Sequence, residues 1–269
     1  MSFSYNISPT IEKARIYQAV LSGERTDGRK LDEYREIKIE TGYVKKAEGS
    51  AFVHLGDTKV IAGIKVEVGT PFPDTPEKGV FLIGAEFVPT ASPTFEPGPP
   101  DENAIELGRV VDRAIRHAEM IDLEKLCIIP GEKVYTVFAD IYVIDHDGNL
   151  FDASTLAVVA AALTAKLPKY EIVDDNTVRF LDEMVPLPIK NRVVTITWAR
   201  INNKLVVDPN NEEEIVMDSR ITIGIDEHDK VVAIQKGGSG YMSYEDVEYA
   251  LDKSFKLARD LIKKLPSGG

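Results

Sequence analysis

The segment ENAIELGRVVDRAIRHAE, residues 102–119, decides the interpretation of this chain. It follows a proline-rich stretch and has the periodicity of one amphipathic helix, at about 100° per residue. Arg109, Arg113 and Arg116 fall together on one side, and we call them the arginine stripe. The small and apolar residues fall on the other face, which we expect to pack against a sheet: Ala104, Leu107, Gly108, Val111, Ala114, Ile115 and Ala118.

The arginine stripe has two interpretations. A row of guanidinium groups that does not face the core is suited to binding anions, because its charge is permanent and its donors are forked. Alternatively, Glu102, Glu106 and Asp112 lie near these arginines on the same helix and could form ordinary surface ion pairs with them. Exposed pairs of this kind are common, so the pattern alone favours ion pairs.

The composition limits the possible classes of function. A net charge of −12 and a pI near 4.9 argue against a free-standing nucleic-acid-binding domain, because such domains are usually basic. Any contact with RNA or DNA must therefore be local or be shared with a partner. The single cysteine, Cys127, cannot form an intrachain disulfide, which favours a cytoplasmic protein. No signal peptide or membrane-spanning segment is recognisable, so we expect no membrane contact.

Hydrophobic periodicity predicts an α+β fold with mixed sheets and packed helices, built from two βαβ-type halves. No shift in composition marks a boundary, so one domain is expected over residues 1–269, with an N-terminal helical extension over about residues 1–24. In that extension Ser8 is the expected N-cap, Pro9 the first helical residue and Gly23 the end.

Two further helices and several strands complete the predicted order. The helices cover 152–167, which is rich in alanine and expected to be buried, and 243–265, where Ser243 and Asp246 form a capping box. Gly56 and Asp57 are expected to close a hairpin. The predicted strands are 36–42, 50–56, 58–68, 80–88, 133–145, 193–201, 204–207, 219–225 and 230–235.

The sequence offers few conventional catalytic motifs. The histidines show no metal-ligand spacing, and His146 and His228 are expected in exposed turns. The run Gly237–Gly240 lacks the lysine and spacing of a phosphate-binding loop, so we interpret it as a flexible connection. The acidic run from Asp208 to Asp218 could bind a divalent cation, although a solvated loop is the commoner meaning of such a run. We therefore predict no metal site and no cofactor.

Several short motifs, in this order and spacing, resemble the RNase PH family over nearly the whole chain, from about Asp27 to Leu265. They are Asp27-Gly-Arg29, Gly49-Ser-Ala51, Gly56-Asp-Thr-Lys-Val60, the helix from Glu106 to Arg116, and the turn from Asp145 to Ser154. The helix looks like the family's E-x-x-R-x-x-x-R-x-x-R element, and the turn precedes an alanine-rich helix as the family's phosphate-binding turn does. The resemblance implies the RNase PH fold. Active members of this family use inorganic phosphate to shorten RNA from its 3′ end.

The chain departs from active members at the reaction centre. Active members carry Gly-Thr-Arg in the turn, whereas here Leu150 and Phe151 occupy the positions of the threonine and arginine. Active members also hold two aspartates six residues apart, and the matching positions here are Glu214 and Arg220. A permanent cation thus replaces an acid that could protonate the leaving oxygen. These departures imply a retained fold without its own catalysis, so we predict no catalytic residue.

This pattern is most similar to the non-catalytic RNase PH-type subunits of the archaeal exosome, which degrades RNA from 3′ to 5′. The resemblance implies a heterohexameric ring with a catalytic RNase PH-like subunit, together with RNA-binding cap proteins and single-stranded RNA. It also implies that Arg109 and Arg113, and with weaker support Arg116, bind RNA phosphates in the ring's channel. Two alternatives remain open: an independently active phosphate-dependent 3′–5′ exoribonuclease, and a metal-dependent hydrolase built on residues 212–218.

Overall fold

The computed structural model describes residues 9–174 and 177–268, which fold into layers of sheet and helix. The α-helices of this part are α1 (Pro9–Ser22), α2 (Glu102–His117), α3 (Leu150–Thr164), α4 (Asn211–Val216) and α5 (Tyr244–Ile262). A short 3-10 helix covers Glu124–Leu126. No helix of the described part is long and apolar enough to cross a membrane.

The strands form two large sheets and one separate pair. In chain order they are β1 (Ile37–Thr41), β2 (Gly49–Leu55), β3 (Thr58–Gly69), β4 (Val80–Phe87), β5 (Cys127–Ile129), β6 (Lys133–Asp145), β7 (Lys166–Asp174), β8 (Thr177–Pro186), β9 (Val193–Ile201), β10 (Lys204–Val207), β11 (Ser219–Asp226) and β12 (Val231–Gly237).

The first sheet has the order β1-β2-β3-β6-β4, with β5 added beside β6. Its neighbours pair antiparallel except β4 and β6, which run parallel and are connected through α2. The second sheet has the order β10-β9-β11-β12 and pairs antiparallel throughout. The α+β class with mixed sheets is therefore confirmed, with the parallel β–α–β crossover in the first half.

Helix α3 lies between the two large sheets. It packs against β2 and β3 on one side and β9 on the other, and residues 150–163 are all buried. Because both sides are covered, no stripe of the helix faces solvent, which explains its nearly all-apolar sequence. Thr197 of β9 bonds Asp152 of α3, whereas the next residue, Trp198, bonds Ser254 of α5. Since successive strand residues point to opposite faces, α5 covers the other side of this sheet.

The main hydrophobic core is continuous across the layers. It joins side chains of the first sheet, such as Val60, to α3 residues such as Leu156 and to second-sheet residues such as Ile223. In a smaller hydrophobic cluster, Ile16 and Val20 of α1 pack against the second sheet. This shared core supports the proposal of a single domain with an N-terminal helix.

Several predicted boundaries need correction. Helix α3 begins at Leu150, because the side chain of Asn149 caps it by accepting from the Asp152 N–H, and it ends at Thr164, before β7. The β7–β8 pair was not predicted. The acidic run is not wholly a loop: it contains α4, whose N-terminus is closed by an Asn210–Glu213 capping box. The predicted hairpin at Gly56 and the end of α1 at Gly23 are confirmed, whereas Ser8 lies outside the described residues.

A buried ion network joins the N-terminal region to the second sheet. The Asp208 side chain is fully buried and accepts hydrogen bonds from Arg29 Nη1 at 2.9 Å, Arg35 Nη2 at 2.7 Å and Asn149 Nδ2 at 2.7 Å. Burial alone would raise the pKa of Asp208, but the hydrogen bonds and charges of Arg35 and Arg29 outweigh it, so this pKa is lowered. The carboxylate is therefore charged and paired at neutral pH.

We expect Asp208→Asn to lower the free energy of unfolding by about 3 kcal/mol, the low end of the range for breaking a buried ion pair. Arg29 and Arg35 lose their shared buried carboxylate and keep only the more exposed Asp27 and Asp147 as partners. Denaturant unfolding monitored by circular dichroism measures this change. Asp229→Asn is the matched control, since Asp229 pairs with Arg259 at the surface, where solvent screens the pair and its loss should cost far less. Equal losses in the two variants would contradict the structural role of Asp208.

Candidate functional site

The arginine-bearing helix α2 agrees closely with its prediction. Asp101 caps its N-terminus, with Oδ1 accepting from the Ala104 N–H at 2.8 Å, and the helix ends at His117, before Glu119, whose φ is +48°. All the residues expected on its inner face are buried, and Val110 is buried with them. The helix thus presents its polar side to the outside.

The three predicted arginines meet in one shallow groove of about 350 Å³ beside β4, which we call the arginine groove. Its lining residues are Leu82, Ile83, Gly108, Arg109, Asp112, Arg113, Arg116 and His117. Gly108 faces β4, and a Cβ there would lie 3.8 Å from the Ala85 nitrogen, an ordinary contact distance. The helix and the strand thus form the two walls of the groove.

The arginines differ in their partners, which separates the two interpretations of the stripe. Arg116 forms an ion pair with Asp112 at 2.7 Å and also donates to the Phe81 carbonyl. Arg113 donates to the neutral Gln235 Oε1 at 2.8 Å. Arg109 is exposed and has no hydrogen bond or ion pair within residues 9–174 and 177–268. Surface pairing therefore accounts for Arg116, but it leaves the charges of Arg109 and Arg113 uncompensated.

A second cavity, of about 250 Å³, lies next to the N-terminal half of α2, and we call it the adjoining pocket. Leu150, Phe151, Glu214 and Arg220, which the sequence places at the positions of catalytic residues in active family members, all line it. They come from the start of α3, from α4 and from β11. The structure therefore assembles the four departures from the family pattern in one place, although they span 70 positions of the sequence.

Arg220 has two partners in this pocket. Its Nη2 atom donates to Glu106 Oε2 of α2 at 2.9 Å, and its guanidinium carbon lies 4.5 Å from the centre of the Phe151 ring, a cation–π distance. Gly237 makes room for it, because a Cβ there would lie 2.8 Å from the guanidinium carbon. The cation is thus already engaged by a carboxylate and an aromatic ring of the same chain.

The glycine run from 237 to 240 closely approaches residues 218 and 219, while Gly238 and Ser239 are exposed, so its flexibility stays a prediction. The Gly240 N–H donates to the Asp218 carbonyl at 2.8 Å, and a Cβ at Gly240 would lie only 2.5 Å from that oxygen. Gly238 has a φ of +77°, a conformation that glycine adopts at low cost. These glycines permit close backbone contact with the strand that carries Arg220.

Glu214 has an unusual environment for a carboxyl group. Burial raises its pKa to about 7, although the Asn149 N–H, which donates to Oε1 at 2.8 Å, and the charges of Arg220 and Arg35 oppose the shift. A carboxyl with this pKa exists in both protonation states near neutral pH. The pocket thus holds a group that could donate a proton.

His146 was expected to be exposed, and the structure corrects this. It is half-buried at the edge of the adjoining pocket, where its ring stacks on Phe95 of the proline-rich segment at 5.4 Å between centroids. Burial is the main cause that lowers its pKa. His228 is exposed, as predicted. The stacking could not be read from the sequence, because Phe95 and His146 are 51 positions apart.

Two carboxylates of the acidic run form ion pairs with arginines of the N-terminal region. Glu213 is buried against Arg25, and Glu212 pairs with Arg15 of α1 at 2.9 Å. Among the described residues no group of three or more histidine, cysteine, aspartate or glutamate side chains is arranged to hold a metal ion. These carboxylates stabilise the contact between α1, α4 and the second sheet, and the metal-dependent hydrolase gains no support from their geometry.

Comparison with known proteins assigns the class. Residues 33–168 match the model of the 3′ exoribonuclease family (RNase PH), domain 1, and residues 191–256 match domain 2 of the same family. The chain therefore belongs to the 3′ exoribonuclease family of RNase PH proteins.

Particular relatives resemble it along nearly their whole length. The exosome complex component Rrp42 of Thermococcus gammatolerans is 52% identical over 256 residues, which cover 95% of this chain and 94% of that protein. A chain of the Archaeoglobus fulgidus exosome with RNA bound to the active site has a TM-score of 0.89 at 46% identity and covers 97% of this chain and 100% of its own. A chain of an archaeal exosome core has a TM-score of 0.85 at 42% identity, with 97% and 98% covered.

The raised pKa of Glu214 predicts a pH-dependent stability difference. The folded state binds this proton more tightly than the unfolded state, so folding loses stability as the pH rises from about 4.5 through 7. We expect Glu214→Gln, which removes the ionised form, to stabilise the protein by about 1–3 kcal/mol at pH 8 and by much less at pH 5. Denaturant unfolding at the two pH values measures it, with exposed Glu245→Gln as the control. A gain that does not depend on pH would contradict the prediction.

Proposed function

We propose that this protein is a non-catalytic, RNA-binding ring subunit of an archaeal exosome that degrades RNA from 3′ to 5′. It pairs with a catalytic RNase PH-like subunit in a heterohexameric ring and helps to shape that partner's active site. The proposal draws on the high similarity to Rrp42 proteins and to chains of solved archaeal exosomes over nearly the full length. RNA-binding cap proteins complete the proposed assembly, which acts in the cytoplasm.

The observation that carries RNA binding is the charge state of the arginine groove. In a chain with a net charge of −12, Arg109 and Arg113 line a groove in which neither forms an ion pair with a described residue. The carboxylate that lines this groove, Asp112, is bonded to Arg116. RNA phosphates are anions that a forked guanidinium can bind without reading the base sequence. The local positive charge also explains how an acidic protein can bind RNA, because the groove and not the whole surface contacts it.

The adjoining pocket supports the absence of catalysis in this subunit. Leu150 and Phe151 contribute apolar side chains where phosphate would need donors, and Arg220 is occupied by Glu106 and Phe151. Glu106 and, when ionised, Glu214 offset the charge of Arg220 in this cavity, which leaves no net positive charge to attract phosphate. Phosphorolysis by the complex is therefore assigned to the partner subunit.

One observation favours the alternative, an independently active phosphate-dependent exoribonuclease. Glu214, with a pKa raised to about 7, has the proton affinity of a general acid at neutral pH. A proton donor without a site for the attacking phosphate is insufficient for the reaction, so we prefer the non-catalytic role.

The isolated chain is expected to release no nucleoside diphosphate from oligo(A) in the presence of inorganic phosphate. The measurement is chromatographic detection of ADP over hours at the growth temperature of the source. The complex with the catalytic partner serves as the positive control. ADP formed by this chain alone, and lost in Glu214→Gln, would establish the alternative function instead.

Charge reversal in the arginine groove is expected to weaken RNA binding. Arg109→Glu with Arg113→Glu should raise the Kd of the reconstituted complex for oligo(A) by at least about tenfold at low salt and should make binding less salt-dependent, because phosphate contacts are lost. Fluorescence anisotropy over a series of salt concentrations measures both effects, and size-exclusion chromatography checks assembly.

Lys45→Glu with Lys46→Glu is the matched control for this prediction. It also reverses two exposed charges, but on the β1–β2 connection, near the edge of the first sheet opposite β4. An unchanged affinity in the arginine variant, or an equal loss in the lysine variant, would remove the basis for assigning RNA binding to the groove.

A further inference from the structure

We propose that Arg220 is a positioning residue for RNA binding: by holding Glu106, it keeps Arg109 free to contact RNA phosphates. This inference rests on the proposed function, because it concerns how the same groove is kept available. It gives a role to a residue of the adjoining pocket that lies on β11 and not on the arginine-bearing helix.

Glu106 is the natural competitor for Arg109. The two residues are three positions apart on α2, a spacing at which side chains of opposite charge commonly pair along a helix. A Glu106 carboxylate bonded to Arg109 would neutralise the arginine and compete with phosphate for the same donors. In the structure this pair is absent, and Glu106 instead accepts from Arg220 Nη2 at 2.9 Å.

The structure favours the Arg220 pair over the Arg109 pair. The side chain of Arg220 is 17% exposed, so its charge is less screened by solvent than that of exposed Arg109. Stacking on Phe151 restricts the guanidinium, and the missing Cβ of Gly237 leaves room for it. A side chain that is already restricted loses less entropy when it forms the ion pair. Arg109 would have to order a long surface side chain to compete.

The second carboxylate in this part of α2, Asp112, also pairs with a cation other than Arg109 or Arg113. Asp112 lies next to Arg113 but is bonded to Arg116, whereas Arg113 is oriented by the uncharged Gln235 of β12. Each carboxylate between positions 106 and 116 is therefore bonded to a cation other than Arg109 or Arg113. The two arginines keep their charge because neighbouring residues bind the local carboxylates.

The test measures RNA affinity of the reconstituted complex with the fluorescence assay described above. Arg220→Ala releases Glu106, and we expect the Kd for oligo(A) to rise about two- to fivefold, the range by which an exposed ion pair shifts an equilibrium. Adding Glu106→Gln in the same chain removes the competitor and should restore the affinity. Damage to the fold would not be repaired by this second change, so the rescue separates positioning from a general structural role.

A double-mutant cycle provides a second readout. In a chain that carries Arg109→Gln, the Arg220→Ala change should have no further effect on RNA affinity, because the residue it protects is already neutral. If Arg220→Ala prevents assembly, Arg220→Gln replaces it in both comparisons. An unchanged affinity for the assembled Arg220 variant, or a loss that Glu106→Gln does not reverse, overturns the inference.

The outcomes also distinguish this inference from the proposed function. If reversal of Arg109 and Arg113 weakens RNA binding while the Arg220 variant binds normally, the groove binds RNA and the positioning role fails. If neither set of variants changes the affinity, the proposed RNA-binding function fails as well.

Discussion

The buried Asp208 carboxylate is the constraint on which the rest of the structure depends. It lies where the second sheet meets the N-terminal turn and the start of α3, and it bonds Arg29, Arg35 and Asn149 at once. A charge removed from water at this point is tolerated only because its lone pairs are all satisfied by cations and an amide. Since Asn149 caps α3, the same interaction fixes the place where Leu150 and Phe151 enter the adjoining pocket.

The different surroundings of α2 and α3 explain why one helix is suited to ligand binding and the other is structural. Helix α3 is covered by a sheet on each side and reaches a cavity only at its first turn, where Leu150 and Phe151 line the adjoining pocket. Helix α2 packs on β4 and β12 with one face, so its opposite face is free to carry charge. The arginine groove can form on α2 because a helix at the edge of the layer keeps a solvent-facing side.

The net charge of the chain is a poor guide to the potential at the groove. The potential at the groove depends on which cation each carboxylate pairs with: Glu106 pairs with Arg220, and Asp112 pairs with Arg116. Arg220 of the adjoining pocket thus bonds Glu106, which lies three positions before Arg109 on α2. The proposed absence of catalysis and the proposed RNA binding are linked in this arrangement through Glu106, which lines the pocket and belongs to the helix that bears the arginines.

The sequence by itself determined the features that depend on local periodicity and capping. Residues close together in the sequence predict the inner face of α2, the burial of α3 and the hairpin at Gly56. The order of the short motifs indicated the family. The tertiary structure alone decided the partners of the charged groups, since Glu106 and Arg220 are separated by 114 positions. It also decided the β7–β8 pair, the short α4 and the stacking of His146. A six-residue helix and a partner distant in sequence leave no periodic signal, because their stability comes from contacts formed only when the chain is folded.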